Sequence, residues 1–157
     1  MRPEIYRLNQ AVRFADTDAA GIVYFGKYAI YFDETVLSAL RQHSVSWDSN
    51  RTKGFIVPIV ESKAEFYRPL RAGDQFQSLM SVVKLSNRSF KTEHMIIKEV
   101  DGHPTLIASG NITRVAVDAE TFRPIKIKEQ LKAALQSHQL TPEAWNEYFA
   151  KIKSVQR

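Results

Sequence analysis

The chain contains no cysteine, and this absence excludes disulfide bonds, cysteine-ligated metal sites and a cysteine nucleophile at once. Its four histidines show no metal-ligand spacing, so we predict no metal site. Long hydrophobic runs are missing too, and no segment reaches the roughly 20 apolar residues of a membrane-spanning helix. Residues 1–14 lack the apolar region of a secretory signal and include Glu4. We therefore expect a cytoplasmic protein without a membrane span.

The composition that is present is typical of one globular domain. The 157 residues are 44% hydrophobic and 25% charged, which suits a folded chain with its own core. The formal net charge is +5, and basic residues are enriched only towards the C-terminus. We interpret this charge as a basic solvated surface or as a means of holding a phosphorylated coenzyme. A nucleic-acid site is not favoured, because no basic strands with interleaved aromatic residues occur. The enriched residues are Lys126, Lys128, Lys132, Lys151, Lys153 and Arg157.

A long amphipathic helix is the strongest element in the pattern. It follows a first strand at residues 5–14, begins between Tyr24 and Lys27, and ends near His43. Apolar residues recur along it at intervals of three and four, as expected for one buried face. This stripe comprises Tyr28, Phe32, Val36, Ala39, Leu40 and His43.

Two carboxylates, Asp16 and Asp18, lie in the polar loop before this helix. A helix start offers unpaired backbone N–H groups and the positive end of the helix dipole. An acid beside it is therefore either a cap or turn residue, or a catalyst. We interpret Asp16 as a structural hydrogen-bonding residue and keep both interpretations open for Asp18 on the local pattern alone.

Four further segments have the pattern of strands joined by short turns, which predicts a mostly antiparallel sheet. Pro58 cannot donate to a ladder, so its strand is an edge or is bulged there, and Gly110 marks a bulge or a close approach. One long helix with a single apolar stripe needs a curved sheet to bury it, so we predict an α+β domain in which the sheet wraps the helix. The four segments are residues 55–67, 75–85, 88–99 and 104–117.

After Pro124 the pattern becomes helical, which divides the chain into a main domain at 1–124 and a C-terminal helical extension at 125–157. A helix is expected from Lys126 to Ser137. A second begins at Thr141-Pro142, a capping residue followed by proline. The aromatic residues of this last helix, led by Trp145, need burial, so we expect the extension to be docked on the same domain.

The segment ADTDAAGIVYFGKY, residues 15–28, resembles the signature of the hotdog-fold acyl-CoA thioesterases. The similarity is to the 4-hydroxybenzoyl-CoA thioesterase type, and within it to the 1,4-dihydroxy-2-naphthoyl-CoA thioesterases. It continues through VPIVESKAEFYRPLRAGD and NRSFKTEH to about residue 118. The resemblance implies a hotdog fold, an acyl-CoA substrate, no cofactor, and a homodimer or a tetramer of dimers with active sites at the dimer interface.

Carried over residue by residue, the resemblance implies roles for five positions. Asp18 matches the catalytic carboxylate, Gly21 the glycine of the turn, and Phe25 the residue whose backbone N–H points at the thioester carbonyl. Arg88 and Ser89 match positions near the coenzyme phosphates, and Phe25 replaces a histidine found in relatives that act on short acyl chains, which favours a flat or apolar acyl group. The predicted coenzyme contacts, for which a solvated surface is the alternative, are Arg68, Arg88, Ser89 and Lys91.

Thioester hydrolysis needs a donor for the developing oxyanion and a carboxylate that serves as general base or as nucleophile. The first hypothesis is therefore an aromatic acyl-CoA thioesterase. The alternatives are a thioesterase for acyl carrier protein or aliphatic acyl-CoA, and a non-catalytic acyl-CoA-binding module. Glu61 is either a second acid or an edge residue, and His94 is expected to be packed. No serine lies in a Gly-x-Ser-x-Gly elbow, which argues against an α/β-hydrolase.

Overall fold

The computed structural model describes residues 4–156, which form a curved antiparallel sheet around one long helix. The strands are β1 (Tyr6–Ala11), β2 (Phe55–Ile56), β3 (Ile59–Phe66), β4 (Gln75–Leu85), β5 (Ser89–Val100), β6 (His103–Val115) and β7 (Val117–Asp118). The helices are α1 (Gly26–Arg41), α2 (Trp47–Thr52), α3 (Glu129–Gln136) and α4 (Pro142–Ser154), and a 3₁₀ turn spans Phe14–Asp16. Five strands form the main sheet in the order β1-β4-β5-β6-β3, and β2 pairs with β7 in a separate ribbon.

Helix α1 lies in the concave face of the sheet, as its apolar stripe predicts. Five of the six stripe residues are at most 5% exposed, and His43, just past the helix end, is half-buried. The N-terminal half of α1 packs on the sheet around Phe32, and the C-terminal half packs on α3 around Leu40. The predicted wrapped-helix architecture is confirmed.

Gly110 is a point of close approach and not a bulge. It pairs in regular register with His94 on β5 and with Ala64 on β3. A Cβ atom here would lie 2.6 Å from the Phe32 ring and would also collide with the Lys63 carbonyl oxygen. The glycine therefore lets α1 sit directly on the middle of the sheet.

The C-terminal helices α3 and α4 pack against the sheet and α1. Thr141 caps α4 by accepting a hydrogen bond from Ala144 N at 3.1 Å, and Pro142 is its first residue. Trp145 and Ile152 of α4 are buried on the convex face of the sheet, against a cluster that includes Leu79. The division of the chain at residue 124 stays a prediction.

Three local predictions were wrong or incomplete. Helix α2 was not expected in the polar segment 44–54, where Ser46 and Ser49 exchange backbone and side-chain hydrogen bonds at the helix start. The strand expected at 55–67 is interrupted, and its second part, β3, is an edge strand, one of the two options inferred from Pro58. The helix expected from Lys126 begins three residues later, because Ile127 N donates to Asn87 O and keeps that segment extended.

Within residues 4–156, no helix is long and apolar enough to cross a membrane. The first three residues of the segment inspected for a signal, and Arg157 of the basic C-terminal group, lie outside the described residues. The cytoplasmic location and the absence of a metal site stay predictions.

Candidate functional site

The loop before α1 is anchored by a buried carboxylate, Asp16, which is 1% exposed. Its oxygens accept hydrogen bonds from Tyr31 Oη at 2.9 Å and from Arg13 N at 3.2 Å, and its backbone carbonyl accepts one from Tyr24 N at 2.9 Å. Burial raises the pKa of Asp16, but the hydrogen bonds from Arg13 and Tyr31 outweigh it and hold the pKa below its ordinary value. The structural role predicted for Asp16 is confirmed.

Asp18 is exposed and is fixed by a tight turn. Its Oδ1 accepts a hydrogen bond from Ala20 N at 2.8 Å, and its backbone oxygen accepts one from Gly21 N at 3.0 Å. Gly21 has φ +76°, in the left-handed region that favours glycine. Asp18 is thus a turn residue and not the cap of α1, because the residue at the N-cap position is Phe25. The turn sets where the carboxylate points, and this is compatible with catalysis.

The first turn of α1 presents free donors beside this carboxylate. Lys27 N donates to Tyr24 O and Tyr28 N to Phe25 O, but among the described residues the N–H groups of Phe25 and Gly26 have no protein acceptor. In the part of the chain that the structure describes, no side chain caps this end. The positive end of the helix dipole and two unpaired N–H groups therefore face outward together.

A cavity of about 400 Å³, here called the Asp18 pocket, is lined by both Asp18 and Phe25. Its size falls in the range of small-molecule sites, and its walls are largely apolar and aromatic. The Tyr28 and Phe66 rings are in edge contact, with centroids 5.0 Å apart, and burial raises the pKa of Tyr28, which keeps its hydroxyl neutral. The lining residues are Asp18, Ile22, Val23, Phe25, Tyr28, Phe66, Tyr67, Arg68 and Pro69.

The structure brings together only some of the residues predicted from sequence. Asp18, Phe25 and Arg68 line the one pocket, and Gly21 shapes its turn. The other three coenzyme-contact predictions lie at the far end of the sheet. Phe66 pairs with Ala108, whereas Ser89 pairs with Val115, seven residues further along β6, or about 23 Å at 3.3 Å per residue.

The local contacts of these three residues are ordinary. Ser89 Oγ lies 2.7 Å from Ser86 Oγ, and Lys91 pairs with Glu93 at 3.8 Å. Arg88 is exposed in the same turn. Their roles stay predictions, and within one chain they do not reach the Asp18 pocket.

The two other polar candidates, Glu61 and His94, do not line the Asp18 pocket. Glu61 is exposed on the edge strand β3. His94 is fully buried, stacks on Phe32 with centroids 4.8 Å apart, and is hydrogen-bonded to Thr92 at 2.8 Å. Burial lowers its pKa to about 3, so the imidazole is neutral. The prediction that His94 is a packed histidine is confirmed.

Sequence reasoning missed a buried charge at the other end of β3. Arg114, 6% exposed, is paired with Asp33, donates to Val57 O at 3.0 Å, and lies over the Trp47 ring at 4.7 Å. Burial lowers the pKa of Arg114, and Asp33 opposes that effect. The available signal was the alternation of β6, in which Arg114 shares the inward face with Ile112.

A second, smaller cavity of about 190 Å³, here called the Trp47 pocket, adjoins this arginine. Its walls are almost entirely apolar. Its one amide side chain, Asn50, is 3% exposed and has no hydrogen-bond partner among the described residues. The lining residues are Trp47, Asn50, Ile56, Val57, Pro58 and Arg114.

Comparison with known proteins relates this geometry to a family. A 1,4-dihydroxy-2-naphthoyl-CoA hydrolase from Rippkaea orientalis is 28% identical over 129 residues, covering 82% of this chain and 93% of that protein. The structure of a 1,4-dihydroxy-2-naphthoyl-CoA thioesterase from Synechocystis superposes with a TM-score of 0.78 at 21% identity, covering 83% of this chain and 95% of that one. A gentisyl-coenzyme A thioesterase structure gives a TM-score of 0.71 at 32% identity, covering 82% and 98%.

These likenesses confirm the hotdog fold and the resemblance seen in the sequence. The model of the thioesterase-like superfamily matches residues 12–135, which include the Asp18 loop, α1, every strand except β1, and all of α3 but its last residue. Since that match covers most of the chain, the protein belongs to the thioesterase-like superfamily.

Proposed function

We propose that the protein hydrolyses the thioester of an aromatic acyl-CoA to the free acid and CoA. The observation that carries this proposal is the Asp18 pocket, a largely apolar cavity lined by a carboxylate and by Phe25, whose N–H group has no protein acceptor among the described residues. The names of its relatives, 1,4-dihydroxy-2-naphthoyl-CoA hydrolase and gentisyl-coenzyme A thioesterase, support an aromatic acyl group.

The chemistry follows from the arrangement. The thioester carbonyl accepts a hydrogen bond from Phe25 N–H, which stabilises negative charge on its oxygen as the carbon is attacked. Asp18 either removes a proton from the attacking water, or attacks the carbon itself to form an anhydride that water then opens. In both routes the C–S bond breaks and the CoA sulfur leaves as a thiol after taking up a proton.

Arg68 is the coenzyme contact that one chain can supply. It lines the Asp18 pocket, is exposed, and presents a guanidinium that binds phosphate in a bidentate manner. The roles of Arg88, Ser89 and Lys91 require a neighbouring subunit, because within one chain they lie at the opposite end of the sheet.

A homodimer through β3 fits this requirement. Seven of the eight β3 residues are exposed, among them Ile59, Val60 and Phe66 at 46%, 60% and 50%. An unpaired edge strand with exposed apolar residues is a site for pairing with another chain, and antiparallel pairing of β3 with its own copy gives a closed two-fold dimer. Sedimentation analysis should give a dimer or a tetramer of dimers, and Val60→Lys should shift it towards monomer; a native monomer would contradict the proposal.

The activity is tested by free-thiol release from a panel of CoA thioesters with 1,4-dihydroxy-2-naphthoyl, 4-hydroxybenzoyl, benzoyl, and short and long aliphatic groups. Aromatic preference that disappears in Asp18→Asn supports the proposal, and Glu143→Gln, an exposed acid on α4, serves as the matched control. Preference for aliphatic groups would contradict it.

A second candidate is hydrolysis of thioesters on acyl carrier protein. The observation that favours it is the basic last turn of α4, with Lys151 and Lys153. The same acyl group on CoA and on carrier protein distinguishes the two, and strong CoA preference excludes the carrier. Absence of turnover with every thioester would instead favour a non-catalytic acyl-CoA-binding module.

A further inference from the structure

The Trp47 pocket has the features of a ligand site, yet the reaction proposed above places no part of the substrate in it. An apolar cavity of about 150 Å³ holds one benzene ring, so about 190 Å³ is enough for an aromatic group. The Asn50 amide is 97% buried and makes no side-chain hydrogen bond among the described residues. Arg114 Nε is also buried and has no partner within residues 4–156. Leaving such groups unpaired is costly, which indicates that a ligand completes them.

The position of this pocket is fixed by strand register. Ile59, the first residue of β3, pairs with Arg114, and Phe66, the last, lies in the Asp18 pocket. The two pockets therefore lie at opposite ends of one edge strand, whose end residues pair with Arg114 and Ala108, six residues or about 20 Å apart on β6 at 3.3 Å per residue. One acyl group cannot occupy both pockets of the same chain.

Two-fold pairing changes this separation. In an antiparallel pair the Ile59 end of one β3 strand lies beside the Phe66 end of the other, because residue i faces j and j faces i. The Asp18 pocket of one protomer then adjoins the Trp47 pocket of its partner. The apolar rings around Asp18 continue across the interface into the apolar walls around Trp47.

We propose that the Trp47 pocket of the partner subunit holds the far end of the acyl ring system, and that the Asn50 amide there hydrogen-bonds a hydroxyl on that ring. Asn50 is then a specificity-determining residue supplied in trans, and it touches neither the thioester nor the attacking water. An amide both donates and accepts, so it suits a phenolic hydroxyl, which does the same. The inference rests on the proposed aromatic thioesterase activity and on the β3 dimer.

The first test uses two pairs of substrates that differ only in ring hydroxyls: benzoyl-CoA with 4-hydroxybenzoyl-CoA, and 2-naphthoyl-CoA with 1,4-dihydroxy-2-naphthoyl-CoA. Asn50→Leu should lower kcat/KM at least about tenfold on a hydroxylated member and less than about threefold on its unsubstituted partner, because a site built for a hydroxyl loses that discrimination with its amide. Asn111→Leu is the matched control, since that amide also has an unpaired buried atom but lies under α4 on the convex face.

Equal losses on both members of each pair, or no loss on either, would overturn the role of Asn50. Circular dichroism and thermal unfolding of Asn50→Leu identify an equal loss that comes from misfolding, and Asn50→Ala, which removes the amide without adding bulk, then provides the same comparison. A native protein that hydrolyses none of the four thioesters would overturn the proposed function together with this inference. Native turnover with unchanged hydroxyl discrimination in the variants would overturn the inference alone.

The second test asks whether Asn50 acts across the interface. Hybrid dimers of differently tagged Asp18→Asn and Asn50→Leu chains are purified through both tags. If the site is composite, one of the two sites in each hybrid has both native residues, so the hybrid should keep about half of the native rate on the hydroxylated substrate. If Asp18 and Asn50 serve the same site within one chain, no hybrid site is intact, and a rate of about a twentieth or less would overturn the proposal.

Discussion

The loop before α1 holds two carboxylates that differ in burial and in hydrogen bonding. Asp16 is buried and accepts hydrogen bonds from Arg13 and Tyr31, whereas Asp18, two residues later, is exposed and its carboxylate accepts a hydrogen bond from Ala20 N in its own turn. Saturated buried groups stabilise a fold, and partly free groups beside a pocket are available for chemistry. The same short segment therefore separates a structural acid from a candidate catalytic one.

The largest expected effect separates activity from stability at Asp18. Asp18→Asn keeps an oxygen for the hydrogen bond from Ala20 N but removes the charge, so turnover should fall by at least about 10³-fold, or about 4 kcal/mol in activation free energy. The free energy of unfolding should change by less than about 0.5 kcal/mol, because the side chain is exposed. Thiol release and urea unfolding on the same preparation measure both. Normal turnover in Asp18→Asn would contradict the catalytic role proposed for Asp18.

Asp16 should show the reverse pattern. Asp16→Ala leaves the buried Tyr31 hydroxyl without its partner and should lower the free energy of unfolding by about 3 kcal/mol, while the exposed Arg13 adds little. For a chain of this length that corresponds to a fall in Tm of about 6–12 °C.

Asp48→Ala is the control, because its ion pair with Arg51 is exposed on both sides and its loss should be small. Calorimetry measures the shifts. An Asp16→Ala protein as stable as the native one would mean that the buried hydrogen bonds do not hold the loop.

The pH dependence of stability distinguishes the buried histidines of the core from the buried carboxylate Asp16. Burial lowers the pKa of His94 from 6.5 to about 3 and also lowers that of His138. Between pH 6.5 and about pH 3, His94 binds a proton in the unfolded chain but not in the folded one. The free energy of unfolding therefore falls as the pH falls below 6.5. Asp16, whose pKa is held below 3.8, contributes stability that is lost only at lower pH.

Replacing His94 should remove part of this acid sensitivity. The native protein should lose about 2 kcal/mol to His94 between pH 7 and pH 5, and His94→Gln should lack that part of the loss. Urea unfolding at the two pH values gives both differences. An identical loss in the variant would assign the sensitivity to other groups, among them His138.

The sequence predicts the parts of this molecule that depend on local periodicity. The stripe of α1 and the turns between strands specify the wrapped helix, and the turn chemistry near Gly21 locates the Asp18 loop. The Trp47 pocket could not be predicted, since it depends on Ile59 pairing with Arg114, which lies 55 positions later in the sequence. Helix α2 was missed because its residues are mostly polar and its stability comes from the Ser46 cap and tertiary packing.

The smallest expected effect tests how the turn supports Asp18. Gly21 has φ +76° and open space around it, so Gly21→Ala adds only backbone strain, about 1 kcal/mol of lost stability. Gly102, with φ +77° and equally open space in the β5–β6 turn, is a nearly identical control. Both alanine variants should be destabilised alike, and asparagine, which tolerates this conformation, should restore much of the loss.

Turnover is the quantity that distinguishes these two turns. If the Gly21 turn orients the Asp18 carboxylate, Gly21→Ala should lower kcat several-fold under conditions where the protein is fully folded, and Gly102→Ala should leave kcat unchanged. Equal kcat values in the two variants would mean that the position of Asp18 is set by the pocket walls and not by its own turn. In that case the loop would contribute the carboxylate, and α1 and Phe66 would contribute its geometry.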